Sequence, residues 1–270
     1  MARRPRFTAR TADKHTLYQL AVQSPVEDVR FLARVYERVR GRRPRHLRED
    51  FCGTALLCAA WVRRGAEYSA EGFDISRATL DWGVRHNLSS LGAAAERVHL
   101  HAEDVRRPSR ERPDVRCAQN FSYFVFKRRP ELLEYFRSAR RDLARGGVFV
   151  LDIYGGPDAM EEEEDVRKVE GEGFTYVWEQ KRYVPATGDY EAHIHFRFPD
   201  GSEMRRAFSY DWRLWTLPEV KDVLVEAGFE RVDSYWEGTA ADGENGNGVF
   251  RRSETGENCP AWITYLVAYA

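Results

Sequence analysis

Residues 45–74 read RHLREDFCGTALLCAAWVRRGAEYSAEGFD, and the changes of pattern inside that stretch decide the fold. Residues 45–49 form a short strand. Residues 51–54 make a tight turn, because Gly53 carries no Cβ to obstruct a sharp reversal. Apolar residues then recur at helical spacing over 55–64, and Gly65 closes that helix. Residues 68–73 are a second strand, which ends at Asp74. A strand, a helix and another strand within about 30 residues form a βαβ unit, whose strands must run parallel.

The same rhythm continues outward. A helix spans 76–91, a third strand 98–101 runs into Glu103-Asp104, and a fourth occupies 115–121. A helix over 130–145 stops at Gly146-Gly147, and VFVLDIY at 148–154 is a fifth strand, almost wholly apolar. Upstream, a basic tail ends near residue 11, and Pro25 divides the helical pattern of 14–39 in two, with Ser24 as N-cap. Downstream of Gly155-Gly156-Pro157 the acidic run 161–165 reads as a solvated helix start or loop. From 174 to 215 the period falls to two, interrupted by Ala-Thr-Gly-Asp and Pro-Asp-Gly-Ser, as in an antiparallel meander of three strands. Thr216 caps a helix that ends at Gly228, and strands follow over 231–236 and 262–268. Residues 240–248 form a flexible loop or a hairpin extension.

The expected architecture is a doubly wound α/β fold. Its sheet has seven mostly parallel strands with helices on both faces, and it carries a small antiparallel β insertion. The chain divides into a tail and lid helices (1–44), a first part of the core (45–156), the insertion (157–215) and the rest of the core (216–270).

Composition narrows the function. The 270 residues carry 42 Lys+Arg against 43 Asp+Glu, a net charge of −1, so no overall field favours nucleic acid or a membrane surface. With 15 Phe, 13 Tyr and 7 Trp the chain is too aromatic to be a solvated, disordered polymer. No apolar run approaches the roughly 18 residues of a membrane span, and the basic start lacks the apolar core of a secretory signal. A soluble, cytoplasmic protein is expected. The four cysteines (52, 58, 117 and 259) lack zinc-ligand spacing. No metal is expected, and the thiols read as small hydrophobes.

Open parallel sheets bind ligands outside the carboxyl ends of their strands, where strand order reverses. Gly53 lies at the first such end. Asp74, about 20 residues further on, is suited to accept hydrogen bonds from both hydroxyls of a ribose. Asp104 closes the third strand, where a carboxylate can accept from an adenine amino group. The turn offers one glycine, with Phe51 and Ala55 in flanking positions, and no lysine follows it. That pattern excludes a dinucleotide fingerprint and a P-loop.

The segments LREDFCGTALL, EGFDIS, HAEDV, NFSYF, LARGGVFVLDIY and LPEVKDVLVEAGFERV together resemble a class I S-adenosylmethionine-dependent methyltransferase of the small-molecule type, with a Rossmann-like core. The resemblance implies S-adenosylmethionine as cofactor. Cys52-Gly53-Thr54 match the family turn, while Phe51 and Ala55 stand where it has glycines. Glu49 or Asp50 then faces the methionine ammonium, Asp74 holds the ribose with Ile75 beside the adenine, and Asp104-Val105 contact the adenine. Asn120-Phe121-Ser122 line the methyl donor and substrate.

By the same resemblance the insertion binds the acceptor, an amine, an amino acid-like compound or a phenol. Its alternating aromatics pack one buried sheet face, while His193, His195 and Arg197 share a face. Candidate acceptor-side groups are Tyr18 and His195 as bases, together with His193 and Tyr154, and Arg213 or Arg197 as a clamp for a carboxylate. Tyr18, Gln19 and Gln23 lie on a helix expected to fold over the donor. Two other readings compete: an RNA methyltransferase, supported only by Arg3, Arg4, Arg6 and Arg10, and a non-catalytic S-adenosylmethionine-binding protein.

Overall fold

The computed structural model describes residues 6–239 and 246–270. Arg3, Arg4 and most of the 240–248 segment lie outside the described residues. The chain divides into two compact units, residues 25–156 with 216–270 and residues 1–24 with 157–215.

The larger unit is built on an eight-stranded sheet. In chain order its strands are β1 (His46–Asp50), β2 (Ser69–Phe73), β3 (Val98–His101), β4 (Val115–Ala118) and β5 (Val148–Gly155). Strands β10 (Arg231–Thr239), β11 (Gly246–Arg252) and β12 (Trp262–Tyr269) complete it. Its spatial order is β11-β10-β12-β5-β4-β1-β2-β3. The five strands from β3 to β5 are parallel, and the last three are antiparallel. From β1 the chain moves outward to β2 and β3, then crosses back to β4, so the order reverses between β1 and β4.

One face packs against α2 (Pro25–Arg40) and α3 (Leu56–Val62). There Phe31, Leu32, Tyr36, Leu57 and Trp61 meet Leu47, Val115, Val150 and Val267 in one apolar cluster. On the other face, Phe136 of α5 (Arg129–Asp142) meets Phe149, which also stacks on Phe229 just after α6 (Leu217–Glu226). The sequence makes these helices start cleanly. Pro130 sits in the first turn of α5, and Thr216 and Glu219 form a reciprocal capping box on α6.

The fold class expected from sequence is observed, with differences of detail. The sheet has eight strands rather than seven, because β11 pairs with β10 as a hairpin extension. The long helix expected over 76–91 ends early: α4 (Arg77–Gly83) passes into a π turn over Val84–Leu88 and a 3-10 stretch over Ser89–Arg97.

The smaller unit is a four-stranded antiparallel sheet of order β6-β7-β8-β9, comprising β6 (Glu164–Val169), β7 (Phe174–Val184), β8 (Asp189–Arg197) and β9 (Glu203–Arg213). Helix α1 (Lys14–Val22) is capped by the Asp13 side chain, which accepts from the Thr16 N–H at 2.9 Å. Its Leu17 and Ala21 pack on Phe174, Tyr176, Ile194 and Phe196. The acidic run expected as helix start or loop instead leads into β6, an almost wholly exposed edge strand. Charged side chains suit such an edge, because they discourage pairing with another chain.

Among the described residues no helix is long and apolar enough to cross a membrane, and no cluster of ligating side chains could hold a metal ion.

Candidate functional site

The turn joining β1 to α3 places Phe51 (φ 55°), Gly53 (φ 52°) and Ala55 (φ 55°) in the left-handed region. For Phe and Ala that conformation costs roughly 1–2 kcal/mol each, since Cβ crowds the following carbonyl. The two residues that the resemblance sets at glycine positions therefore keep a glycine-like backbone. Surrounding contacts hold it. The Cys52 N–H donates to the Phe73 carbonyl at 2.9 Å, and the Gly53 N–H donates to Asp74 Oδ2 at 2.9 Å. Asn87 Nδ2 donates to the Thr54 carbonyl at 2.8 Å. Helix α4 closes on the turn through Gly83, where a Cβ would fall 2.3 Å from the Thr54 oxygen.

Neighbouring acids on β1 point to opposite faces, as strand geometry requires. Asp50 is fully buried and fully engaged. It accepts from Arg48 Nε at 2.8 Å, Arg116 Nε at 2.7 Å and the Tyr135 hydroxyl at 2.7 Å. Both arginines also reach Asp142 of α5, and both donate at 2.6 Å to the carbonyl of Val105. Glu49, on the α3 side, is buried with a thiol as its hydrogen-bond donor, Cys58 Sγ at 3.1 Å, and has no cationic partner among the described residues. Burial pushes its carboxyl up to about 8.

Two further acids join it, neither singled out in the sequence. Asp152 of β5 accepts the N–H groups of Asn120 at 2.7 Å and Phe121 at 2.9 Å. Those two residues are themselves left-handed, at φ 56° and 57°. Asp28, in the first turn of α2, accepts from the Tyr265 hydroxyl at 3.1 Å. Burial raises Asp152 to about 7 and Asp28 to about 6, and the acids repel one another: Asp28 and Asp74 act on Glu49, and Asp28 acts on Asp152. The sequence held one signal, a single aspartate inside the apolar run VFVLDIY.

Asp74 is half-buried and fixes the turn through Gly53 while its Oδ1 accepts from the Ser76 N–H at 2.8 Å. Ile75 beside it is 81% exposed, an apolar side chain left open next to that carboxylate. Arg106 grips Asp104 with Nε at 2.9 Å and Nη2 at 2.6 Å and holds its carboxyl below the usual range. The Val105 carbonyl of the same loop is anchored by Arg48 and Arg116. The Ser122 hydroxyl donates to the Gln119 carbonyl at 2.9 Å.

The structure does not gather Tyr18, His195 and Arg213 into one group. The Tyr18 ring lies 5.0 Å from Phe208 on the α1 side of the antiparallel sheet. His195 belongs to the opposite face, where its Nδ1 accepts from the Arg206 N–H at 3.1 Å and its Nε2 lies 3.0 Å from Glu179 Oε2. Both ring nitrogens of this candidate base are thus engaged. His193 is likewise held between Ser209 and Glu191, and Arg197 between Glu164 and Glu203. The Arg213 guanidinium stacks 3.8 Å above the Trp215 ring. In the larger unit the Tyr154 ring packs on Phe121 at 4.6 Å.

Cys52, Cys58 and Cys117 are buried, and desolvation pushes all three thiols well above their ordinary range; Cys259 is half-exposed.

No family model and no curated protein sequence matches this chain. Solved structures do. An amino pentose methyltransferase of calicheamicin biosynthesis from Micromonospora echinaspora superposes with a TM-score of 0.67 at 18% identity, over 94% of this chain and 95% of that one. The fold is that of S-adenosylmethionine-dependent methyltransferases. Such a methyltransferase from Clostridium acetobutylicum gives 0.65 at 16% identity, over 94% and 96% of the two chains. A sugar N-methyltransferase from Streptoalloteichus gives 0.61 at 21%, over 96% and 92%. Within this methyltransferase fold, the left-handed turn, Glu49 and Asp74 lie at the carboxyl ends of β1 and β2, beside the reversal of strand order.

Proposed function

We propose that this protein is an S-adenosylmethionine-dependent methyltransferase acting on a small-molecule acceptor. The observation that carries the reading is Glu49, a buried carboxyl without a cationic partner among the described residues, set beside a strained turn at the strand ends. Burying a carboxylate without a counter-charge is costly, and the ammonium of the donor's methionine part supplies one. Asp50 is already neutralised by two arginines, so Glu49 is the acid we assign to that contact.

The other residues fit the rest of the donor. Asp74 Oδ2 accepts the Gly53 N–H and Oδ1 the Ser76 N–H, which fixes the carboxylate at the strand end, where we assign it to the ribose. Ile75 offers an open apolar surface for the adenine, and the Asp104-Val105 loop is braced beneath by Arg48 and Arg116. Asn120, Phe121 and Ser122 form the loop assigned to the methyl end. Bound S-adenosylmethionine supplies a methyl group already activated by its sulfonium. What the chain must add is alignment and exclusion of water.

An amine acceptor fits best. Asp28 and Asp152 favour a cation, and similar folds include an amino pentose and a sugar N-methyltransferase. We assign acceptor recognition to the antiparallel unit, with Tyr18 on its aromatic face and Arg213 as a clamp. His195 holds the backbone of Arg206.

The test pairs calorimetry with S-adenosylmethionine and a screen of amines, amino sugars and phenols for methylated product. Donor binding, its loss in Asp74→Ala, and turnover with amines are expected. Donor binding that is absent, or unchanged in Asp74→Ala, overturns the reading.

A further inference from the structure

The antiparallel unit holds a cavity of about 360 Å³ lined by Glu179, Lys181, His195, Arg205 and Arg206. That volume is at the small end of sites that hold organic ligands. Consecutive strand residues normally point to opposite faces, yet Arg205 and Arg206 both line this cavity. The reason lies in β9. Its pairing with β8 slips between Phe196↔Met204 and Ile194↔Phe208, and Arg206 in the resulting bulge has φ 48°. A left-handed arginine is disfavoured, and bulges characteristically re-aim a side chain. Here the bulge brings both arginines to one cavity.

The charges around them are arranged for an incoming anion. Buried His195 accepts the Arg206 N–H on Nδ1, which leaves its Nε2–H to donate to Glu179, and Lys181 lies 3.7 Å from the same carboxylate. Although burial opposes its ionisation, Glu179 is held below the usual range by His195 and Lys181. Arg205 approaches Glu203 only at 3.6 Å. The Arg206 guanidinium has no hydrogen-bond or ion-pair partner among the described residues. Three cations and one carboxylate line the cavity, an excess of positive charge that suits a dianion better than a single carboxylate.

We propose that this cavity is a binding site for a phosphoryl oxyanion, gripped by Arg205 and Arg206 with Lys181 at its edge. Paired guanidinium forks present the bidentate donors that phosphate oxygens accept. The site does not depend on the methyltransferase reading, because every residue in it belongs to the smaller unit.

Calorimetric titration of the full chain at low salt, without S-adenosylmethionine, tests the proposal with inorganic pyrophosphate, inorganic phosphate, glucose 1-phosphate and acetate as probes. Saturable binding of at least one phosphoryl probe is expected, tighter than acetate. It should weaken about tenfold or more in Arg205→Gln and in Arg206→Gly, and stay unchanged in Arg182→Gln, an exposed arginine outside the cavity. Arg206→Gly removes the guanidinium while accommodating the left-handed backbone, so its loss of binding is not a loss of folding. Preference for glucose 1-phosphate over inorganic phosphate assigns the site to a phosphate ester, and the reverse assigns it to the free anion. No saturable binding, equal binding in Arg206→Gly, or acetate bound as tightly as the phosphoryl probes overturns the proposal.

Discussion

Replacing Glu49 by Gln separates the needs of folding from those of ligand binding. Burial holds the Glu49 carboxyl at about 8, against 4.5 in an unstructured chain. Between those values the native state keeps a proton that the unfolded state releases, so stability falls as pH rises through that window. At about 1.4 kcal/mol per pH unit, the accumulated loss near pH 8 is on the order of 4 kcal/mol. Glutamine never ionises, so Glu49→Gln is expected to unfold at higher temperature than the parent at pH 8 and at a similar temperature near pH 4.5.

Donor binding moves the opposite way. To meet an ammonium, Glu49 must lose its proton, which costs about 1.4 kcal/mol at pH 7 and about twice that at pH 6. Parental affinity for S-adenosylmethionine therefore rises about tenfold per pH unit from 6 towards 8, then levels off as the donor's own amino group begins to lose its proton, near pH 8. In Glu49→Gln that slope disappears. At pH 8 the variant binds roughly 10–100-fold more weakly, since a hydrogen bond to a charged group contributes about 1.5–3 kcal/mol. Calorimetry across pH, in two buffers of different ionisation heat, reads both the affinity and the proton released on binding. Equal affinities at pH 8, or an unaltered slope in the variant, would refute the assignment of Glu49.

Three further substitutions probe the scaffold of the same site. Gly83→Ala puts a methyl group against the Thr54 carbonyl, so α4 must shift; a loss of about 1–3 kcal/mol in urea unfolding and weaker donor binding are expected. Ala55→Gly relieves a left-handed alanine and should stabilise the protein by up to about 1 kcal/mol in the same measurement, with donor affinity unchanged. Arg116→Met leaves Asp50 and Asp142 with one guanidinium where they had two; a loss of about 3–5 kcal/mol is expected, because an uncompensated buried charge remains.

The alternation of strands and helices is legible in the helical spacing of the connections and in the glycines and acids that close the strands; of the parallel strands only β5 is an apolar run, and β1 reads His-Leu-Arg-Glu-Asp. Strand β6 is not legible, because it lies at an exposed edge and carries Glu164, Asp165, Arg167 and Lys168 where a half-buried strand would alternate apolar with polar. The break after Gly83 was hidden too: the apolar pattern of 76–91 continues smoothly, and only the close approach of the Thr54 carbonyl marks the position. Asp74 and Gly53 could be placed from strand ends alone. The left-handed backbone at Phe51 and Ala55 could not, since neither residue type advertises it. Asp28 has nothing in sequence to distinguish it from Glu27 in the same helix turn, and its partner Tyr265 lies far along the chain. The separation of Tyr18 from His195 depends on which sheet face α1 covers, a long-range choice that strand parity does not reveal.

The distribution of sulfur has a practical consequence. Three sulfhydryls are sealed inside the larger unit and Cys259 alone is half-exposed, near its surface. A maleimide dye added to the native chain should attach at that one position, giving a fluorescent reporter without engineering. In mild denaturant, the rate at which the remaining three become alkylated would time the breathing of the larger unit, a clock already written into the chain.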